Sequence, residues 1–155
     1  MDDGYRRIAR CVVVEERFAS GIVGIIDTSS RCALVLRRLD TDRDYPSQWC
    51  FPGGRANAGE TTIEVAEREA LEETGLTIRR LESLGRREST GATGRVYSID
   101  CFLTQSWSGS LIPFPSAEHA AAAWVPFEAL VRLEPIGPAT SWLASTIWSR
   151  FRNAE

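Results

Sequence analysis

The amino-acid sequence predicts a layered α/β/α domain built on a mixed β-sheet. The first half carries short runs rich in Val, Ile and Leu, the middle holds a strongly capped helical stretch, and a second helical pattern closes the chain. Strands before and after a central helix, with more helix at the end, call for helices on both faces of one sheet. With 155 residues the chain has the length of one domain with a sizeable core, and 1–155 reads as a single unit.

Taken in order, Ile8–Glu15, Gly21–Asp27 and Cys32–Arg38 read as strands, with a turn at Thr28-Ser29-Ser30. Asp40–Gln48, dense in charge and broken by Pro46, reads as a surface loop. After Phe51-Pro52-Gly53-Gly54, Thr61 supplies an N-cap, Glu64 completes a capping box, and Gly75 stands where a left-handed C-cap belongs. The helix between them is predicted over Thr62–Thr74. Leu76–Gly85, Arg95–Gln105 and Ala120–Val125 read as strands, Gly91–Gly94 as a hairpin-type turn and Trp107–Ser110 as a loop. Pro126-Phe127-Glu128 opens a short helix to Leu133. A last amphipathic helix over Ala139–Phe151 places Trp142, Leu143, Ile147 and Trp148 on or near one face. That face covers the core or joins two copies, so the chain is expected as a monomer or a homodimer.

A formal net charge of -3 argues against a main task of gripping nucleic-acid backbone, and no stable nucleic-acid partner is expected. The basic clusters Arg6, Arg7 and Arg10, Arg79 and Arg80, and Arg86 and Arg87 read as solvated edges. No run approaches a membrane span, and Met1–Arg7 opens no apolar signal region, so the expected location is the cytoplasm, with no membrane partner. Cys11, Cys32, Cys50 and Cys101 are scattered without a C-x-x-C pair and read as reduced structural thiols rather than a zinc site.

On a helical wheel of about 100° per residue, Glu69, Glu72 and Glu73 share one arc, beside an apolar arc of Ile63, Ala66 and Ala70. Carboxylates at this spacing repel one another unless a cation lies between them. Hard divalent ions, Mg²⁺ above all, bind through such carboxylates together with substrate phosphates. Arg68, one turn before Glu72, is placed to steady that carboxylate. By itself the trio reads better as a solvated acidic face.

The trio sits, however, in a longer pattern. From Gly54 the chain runs G-R-A-N-A-G-E-T-T-I-E-V-A-E-R-E-A-L-E-E-T-G-L. This resembles the Nudix box, G-x5-E-x7-R-E-U-x-E-E-x-G-U with U a bulky aliphatic residue, through Gly54, Glu60, Arg68, Glu69, Glu72, Glu73, Gly75 and Leu76. Ala70 departs from the pattern by being small at the first U. The flanks Leu34–Arg38 and Trp49–Gly54 agree with those of the Nudix family. The resemblance implies a Nudix-type α/β/α sandwich and a hydrolase that cuts a phosphoanhydride bond in a nucleoside diphosphate linked to a further group. It implies Mg²⁺, with Mn²⁺ as an alternative ion, held by Glu69, Glu72, Glu73 and the Gly54 carbonyl. Arg68 would orient the carboxylates, Glu60 would brace the loop–helix junction, and Gly53 would let backbone approach ion and phosphate. The general base would be a box glutamate, Glu72 or Glu73, or else Glu118 from a later loop, which also reads as a plain solvated acid. His119, the single histidine, reads as a packing or surface residue ahead of a base.

The resemblance also implies a small-molecule nucleotide substrate. Arg37 and Arg38 alternate across a strand, so at most one should face the phosphates. Trp49, beside the Gly-Gly turn, is the candidate base contact; Tyr97 is another, while Phe102 and Trp124 suit the core. No signature of the ADP-ribose, dinucleoside polyphosphate, coenzyme A or NADH branches is complete, which leaves the compact MutT-like group acting on a (deoxy)nucleoside triphosphate. Sugar nucleotides, ADP-ribose and RNA 5′-triphosphate stay open, as does a non-catalytic nucleotide-binding regulatory module.

Overall fold

The computed structural model describes residues 17–153. The expected strand Ile8–Glu15, with Arg6, Arg7, Arg10 and Cys11, lies outside them. The described elements run β1 (Arg17–Asp27), β2 (Cys32–Arg38), β3 (Trp49–Cys50), β4 (Gly53–Arg55), α1 (Thr62–Thr74), β5 (Leu76–Arg79), β6 (Glu82–Thr90), β7 (Val96–Thr104), β8 (Ser106–Gly109), β9 (His119–Pro126), α2 (Phe127–Leu130) and α3 (Pro138–Phe151).

The main sheet is ordered β3-β2-β1-β7-β6, with β4 added to β1 and β9 to β2. It is mixed because β1 and β7 run parallel from Arg17↔Val96 to Ile25↔Thr104. That ladder also explains why β1 starts before the expected Gly21: Arg17–Ser20, a mixed run with no clear alternation, are held by backbone pairing to β7. Side chains alternate across the sheet. Val23, Ile25 and Leu34 face Ala66 and Ala70 of α1, while Ile26, Ala33 and Val35 face Leu143, Ala144 and Ile147 of α3. Trp142 and Trp148 are half-buried against that second cluster, so the apolar side of α3 covers core.

Two expectations are corrected. Leu76–Gly85 is two strands, not one: Arg80 has φ 54, and the break sends β5 to pair with β8 and β6 with β7. Trp107–Ser110 is largely strand β8, because β5 supplies it with an antiparallel partner in the register Ile78↔Trp107. Four residues with a single apolar side chain, Trp107, are too few to show a period from which this could be read.

The site depends on how β1 and β2 separate. They pair only next to their turn, at Ile26↔Ala33 and Asp27↔Cys32. Beyond it, β1 takes β4 (Ile22↔Gly53) and β2 takes β3 (Leu36↔Cys50), so residues 49–55 cross between the parted strands. The loop after β2 is pinned beside this crossing. Asp42 Oδ1 accepts the backbone N–H groups of Asp44 (3.1 Å) and Tyr45 (2.8 Å), and its Oδ2 accepts from Arg38 (2.9 Å). Asp44 accepts from the Thr93 N–H (3.3 Å) and from the hydroxyls of Thr93 and Tyr97 on the β6–β7 hairpin.

Burial alone would raise the Asp44 pKa, but the bonds from Thr93 and Tyr97 outweigh it and hold the carboxylate below its ordinary 3.8. A depressed folded-state pKa means that this stabilisation is complete above about pH 4 and is lost as pH falls through the folded value. Asp44→Asn is expected to lower stability by about 1–2 kcal/mol in urea unfolding at pH 7, and to flatten the loss of stability below pH 4. Identical acid limbs in wild type and variant would show that Asp44 does not anchor the loop.

Candidate active site

A cleft of about 550 Å³ opens where the strands part, bounded by the 39–48 loop, residues 49–55, α1 and Glu118. Helix α1 forms the acidic wall. Thr61 Oγ1 accepts the Glu64 N–H (3.2 Å) and donates to Glu64 Oε1 (3.0 Å), while Gly75 closes the other end at φ 84. Gly21 lets the helix start lie on β1, since a Cβ there would stand 2.5 Å from the Thr62 carbonyl oxygen. The buried face of α1 is Val65, Ala66, Ala70, Glu73 and Thr74. Ile63, expected on it, is 45% exposed. The first turn is held instead by a polar bond from Thr62 Oγ1 to Asp100 Oδ2 (2.6 Å), and the next side chain turns to solvent.

Arg68 links the acids. Its Nε and one terminal nitrogen donate to both oxygens of Glu60 (2.7 and 2.8 Å). The other terminal nitrogen donates to Glu69 Oε1 (2.6 Å) and reaches Glu72 Oε2 at 3.3 Å. Glu60 also accepts the Asn57 N–H (3.0 Å), and the Arg68 bonds above all pull its pKa down to about 2. The three helix glutamates have different surroundings. Glu72 has a side chain 58% exposed and does not line the cleft; Glu69 lines it and is mostly covered; Glu73 lines it and is 6% exposed. Burial raises Glu69 against the pull of Arg68, and raises Glu73 well above the ordinary carboxylate range.

Glu73 Oε1 accepts the Gly53 N–H at 2.8 Å, and its Oε2 lies 3.3 Å from His119 Nε2. A Cβ on Gly53 would collide with the Gly21 carbonyl, and one on Gly54 would stand 2.9 Å from the Glu69 carboxyl carbon. Glu118 is exposed, lines the cleft, and its charge adds to the upward push on Glu69 and Glu73. Glu73, Glu118 and His119 offer ligand atoms within 4.8 Å of one another. The donors suit a hard divalent cation. Burial pushes the nearby Cys50 thiol up to about 12, so it stays protonated and offers no thiolate, and the remaining donors on the cleft wall are carboxylate oxygens.

Of the expected substrate contacts, Arg38, Trp49 and Gly53 line the cleft, as does Gly54, whose carbonyl is expected at the ion. Arg37 does not, which corrects its place among them: it is exposed, with its guanidinium 5.9 Å from the Trp49 ring and its Nε bonded to the Ser47 carbonyl. Strand alternation sends only Arg38 inward. Phe102 is buried and Trp124 packs on Trp107 at 5.1 Å, both in the α1-side core. Tyr97 lines the cleft with its hydroxyl on Asp44. His119 is 1% exposed and lies beneath the cleft. Sequence reasoning missed Asp42, Asp44, Tyr45 and Ser89, which complete the far wall. Asp44, Tyr45 and Ser89 find their partners 44 to 53 positions away, so no local signal marked them; Asp42 is bonded within four residues and read only as one charge of a surface loop.

The NUDIX domain family model matches residues 15–144. A mouse protein called nucleoside diphosphate-linked moiety X motif 6 is 30% identical over 128 residues, which cover 80% of this chain and 40% of that protein. The chain thus spans well under half the length of that relative. Among solved structures, a MutT protein from Methanosarcina mazei Go1 superposes with TM-score 0.75 at 24% identity, covering 91% of this chain and 99% of that one. A MutT NUDIX hydrolase from Burkholderia pseudomallei gives TM-score 0.73 at 21% identity, covering 84% and 98%. These likenesses establish the mixed sheet with flanking helices.

Arg68→Lys and Glu60→Gln are each expected to lower the melting temperature, because lysine keeps the charge but loses the planar fork. A double-mutant cycle should show that the second change costs less once the first is made. Strict additivity would remove Arg68 from its role as the link between loop and helix.

Proposed function

The chain belongs to the NUDIX domain family, and on that premise we propose that it hydrolyses a phosphoanhydride bond of a (deoxy)nucleoside triphosphate, releasing the monophosphate and pyrophosphate. The observation that carries this reading is the convergence of Glu69, Glu73 and Glu118 at one end of a nucleotide-sized cleft, with Arg38 and aromatic side chains lining the remainder. The unit acting is residues 1–155 as one domain.

A divalent ion held by these carboxylates, Mg²⁺ or Mn²⁺, would neutralise phosphate oxygens and make a bound water more acidic. The protein supplies the rest. Arg68 keeps Glu69 and Glu72 from turning away from one another, with Glu60 as its counterweight. Gly53 and Gly54 keep the wall beside Glu69 free of side chains, so phosphate can come close. Arg38 meets the phosphate chain, and Trp49, Tyr45 and Tyr97 offer flat surfaces to the base. Water attacks phosphorus, the bond to the leaving pyrophosphate breaks, and the water's proton passes to a carboxylate. Glu118 is the base we favour, because it is the exposed acid of the cleft and carries no bond to Arg68.

The test is release of phosphate and pyrophosphate with Mg²⁺ from nucleoside triphosphates, sugar nucleotides, ADP-ribose, dinucleoside polyphosphates and triphosphorylated RNA. Pyrophosphate from triphosphates is expected, and turnover of another class alone would overturn the substrate. Glu73→Gln is expected to lose at least about 100-fold in kcat while staying folded, and a chelator should abolish turnover. Glu118→Gln with full activity across pH would return the base to the helix.

A further inference from the structure

The proposed reaction uses the cleft's carboxylates and gives His119, which lies within ligand distance of Glu73 and Glu118, no step of its own. Its side chain is buried to 1% exposure, yet among the described residues Nδ1 has no hydrogen-bond partner. Nε2 lies 3.3 Å from Glu73 Oε2 and 4.0 Å from Cys50 Sγ. The backbone is fixed on both sides: the His119 N–H donates to Ser116 Oγ (3.1 Å), the Ser116 N–H donates to the His119 carbonyl (2.8 Å), and His119 pairs with Arg38 in the sheet. The ring has therefore been placed against Glu73 at the cost of an unpartnered buried nitrogen, which native interiors mostly avoid.

We propose that His119 is a positioning residue that presents Nε2–H to Glu73 Oε2 and so fixes the plane in which Glu73 meets the cation. This rests on the reading of the carboxylates as the cation site. The ring has two ways to carry a single proton. With the proton on Nδ1, a buried N–H would have no acceptor and a lone pair would face a carboxylate oxygen. With the proton on Nε2, the carboxylate receives a donor, and the bare nitrogen is a lone pair, the cheaper of the two to leave unmatched. Glu73 then has one donor on each oxygen, the Gly53 N–H on Oε1 and the imidazole on Oε2, and can rotate about neither. Carboxylates that bind metals are commonly held by such outer partners. Cys50 Sγ also lies 4.0 Å from Nε2, but a thiol is a weak hydrogen-bonding group and the Glu73 carboxylate at 3.3 Å is the stronger partner.

The single histidine of the chain makes this testable by NMR. On protein labelled with ¹⁵N-histidine, long-range ¹H–¹⁵N correlations with and without Mg²⁺ should show a protonated Nε2 and a bare Nδ1. The opposite tautomer, or an Nε2 that loses its proton when Mg²⁺ binds, overturns the proposal. Mn²⁺ titrations followed by electron paramagnetic resonance then compare variants. Gln places an amide N–H near the Nε2 position, so His119→Gln should bind Mn²⁺ within about threefold of wild type, whereas His119→Asn and His119→Leu should bind about 10- to 100-fold more weakly. Equal weakening of the Gln and Asn variants would reduce His119 to a packing residue and overturn the inference, even if the Leu variant fails to fold. Mn²⁺ affinity unchanged in a folded His119→Leu would do the same while leaving the cation site in place. A wild-type chain that binds no Mn²⁺ would overturn the cation site first, and this inference with it.

Discussion

Four carboxylates, Glu60, Glu69, Glu72 and Glu73, lie on α1 or the loop before it, and like charges a few ångströms apart oppose one another by several kcal/mol at intermediate dielectric. The guanidinium of Arg68 lets Glu60, Glu69 and Glu72 coexist. Its planar fork grips both oxygens of Glu60 and still has a nitrogen for Glu69 and Glu72. Because Glu60 belongs to the 55–61 connection, the same contact fastens that connection to the helix, assisted by a 3.4 Å bond from Arg68 to the Arg55 carbonyl. The position of β4, and with it the glycines that face the acids, follows from this junction.

Three glutamates within five positions meet three environments. Glu72 faces water, Glu69 is covered and paired with Arg68, and Glu73 is buried and accepts the Gly53 backbone N–H. Desolvation raises Glu69 and holds Glu73 well above the ordinary carboxylate range, and a buried carboxylate gains most from a cation. The helix wheel places all three on one arc, but the sheet beneath covers one edge of that arc, so the difference between them is set by what α1 packs on. The small Ala66 and Ala70 allow the close approach that buries Glu73.

The opposite wall follows a different logic. The 39–48 loop has no ladder of its own, and its shape comes from carboxylates serving as local acceptors, Asp42 within the loop and Asp44 across to the β6–β7 hairpin. Gly91 passes so close to Asp44 that any side chain there would displace it. Tyr45 and Tyr97 are brought to 5.9 Å through the same bonds. One wall is therefore a rigid helix face and the other a loop held by a few polar contacts, so substitutions in the loop alter the cleft at lower cost to the core.

What the sequence determined by itself was the part written in local chemistry. The caps at Thr61 and Gly75 bounded α1 at Thr62 and Thr74, a run of Val and Leu marked β2, and the spacing of Arg68, Glu69, Glu72 and Glu73 named the acidic wall. Each of these is set within a few residues, by periods of 3.6 or 2 and by the groups left open at helix ends. Tertiary structure alone decided which strands paired, that Leu76–Gly85 breaks at Arg80, that Ser106–Gly109 becomes strand, and that Arg38 rather than Arg37 turns inward. It alone set Asp44 on Tyr97 and His119 beneath Glu73. Those contacts join positions some fifty residues apart, and their energy comes from burial and pairing with partners that no local window contains.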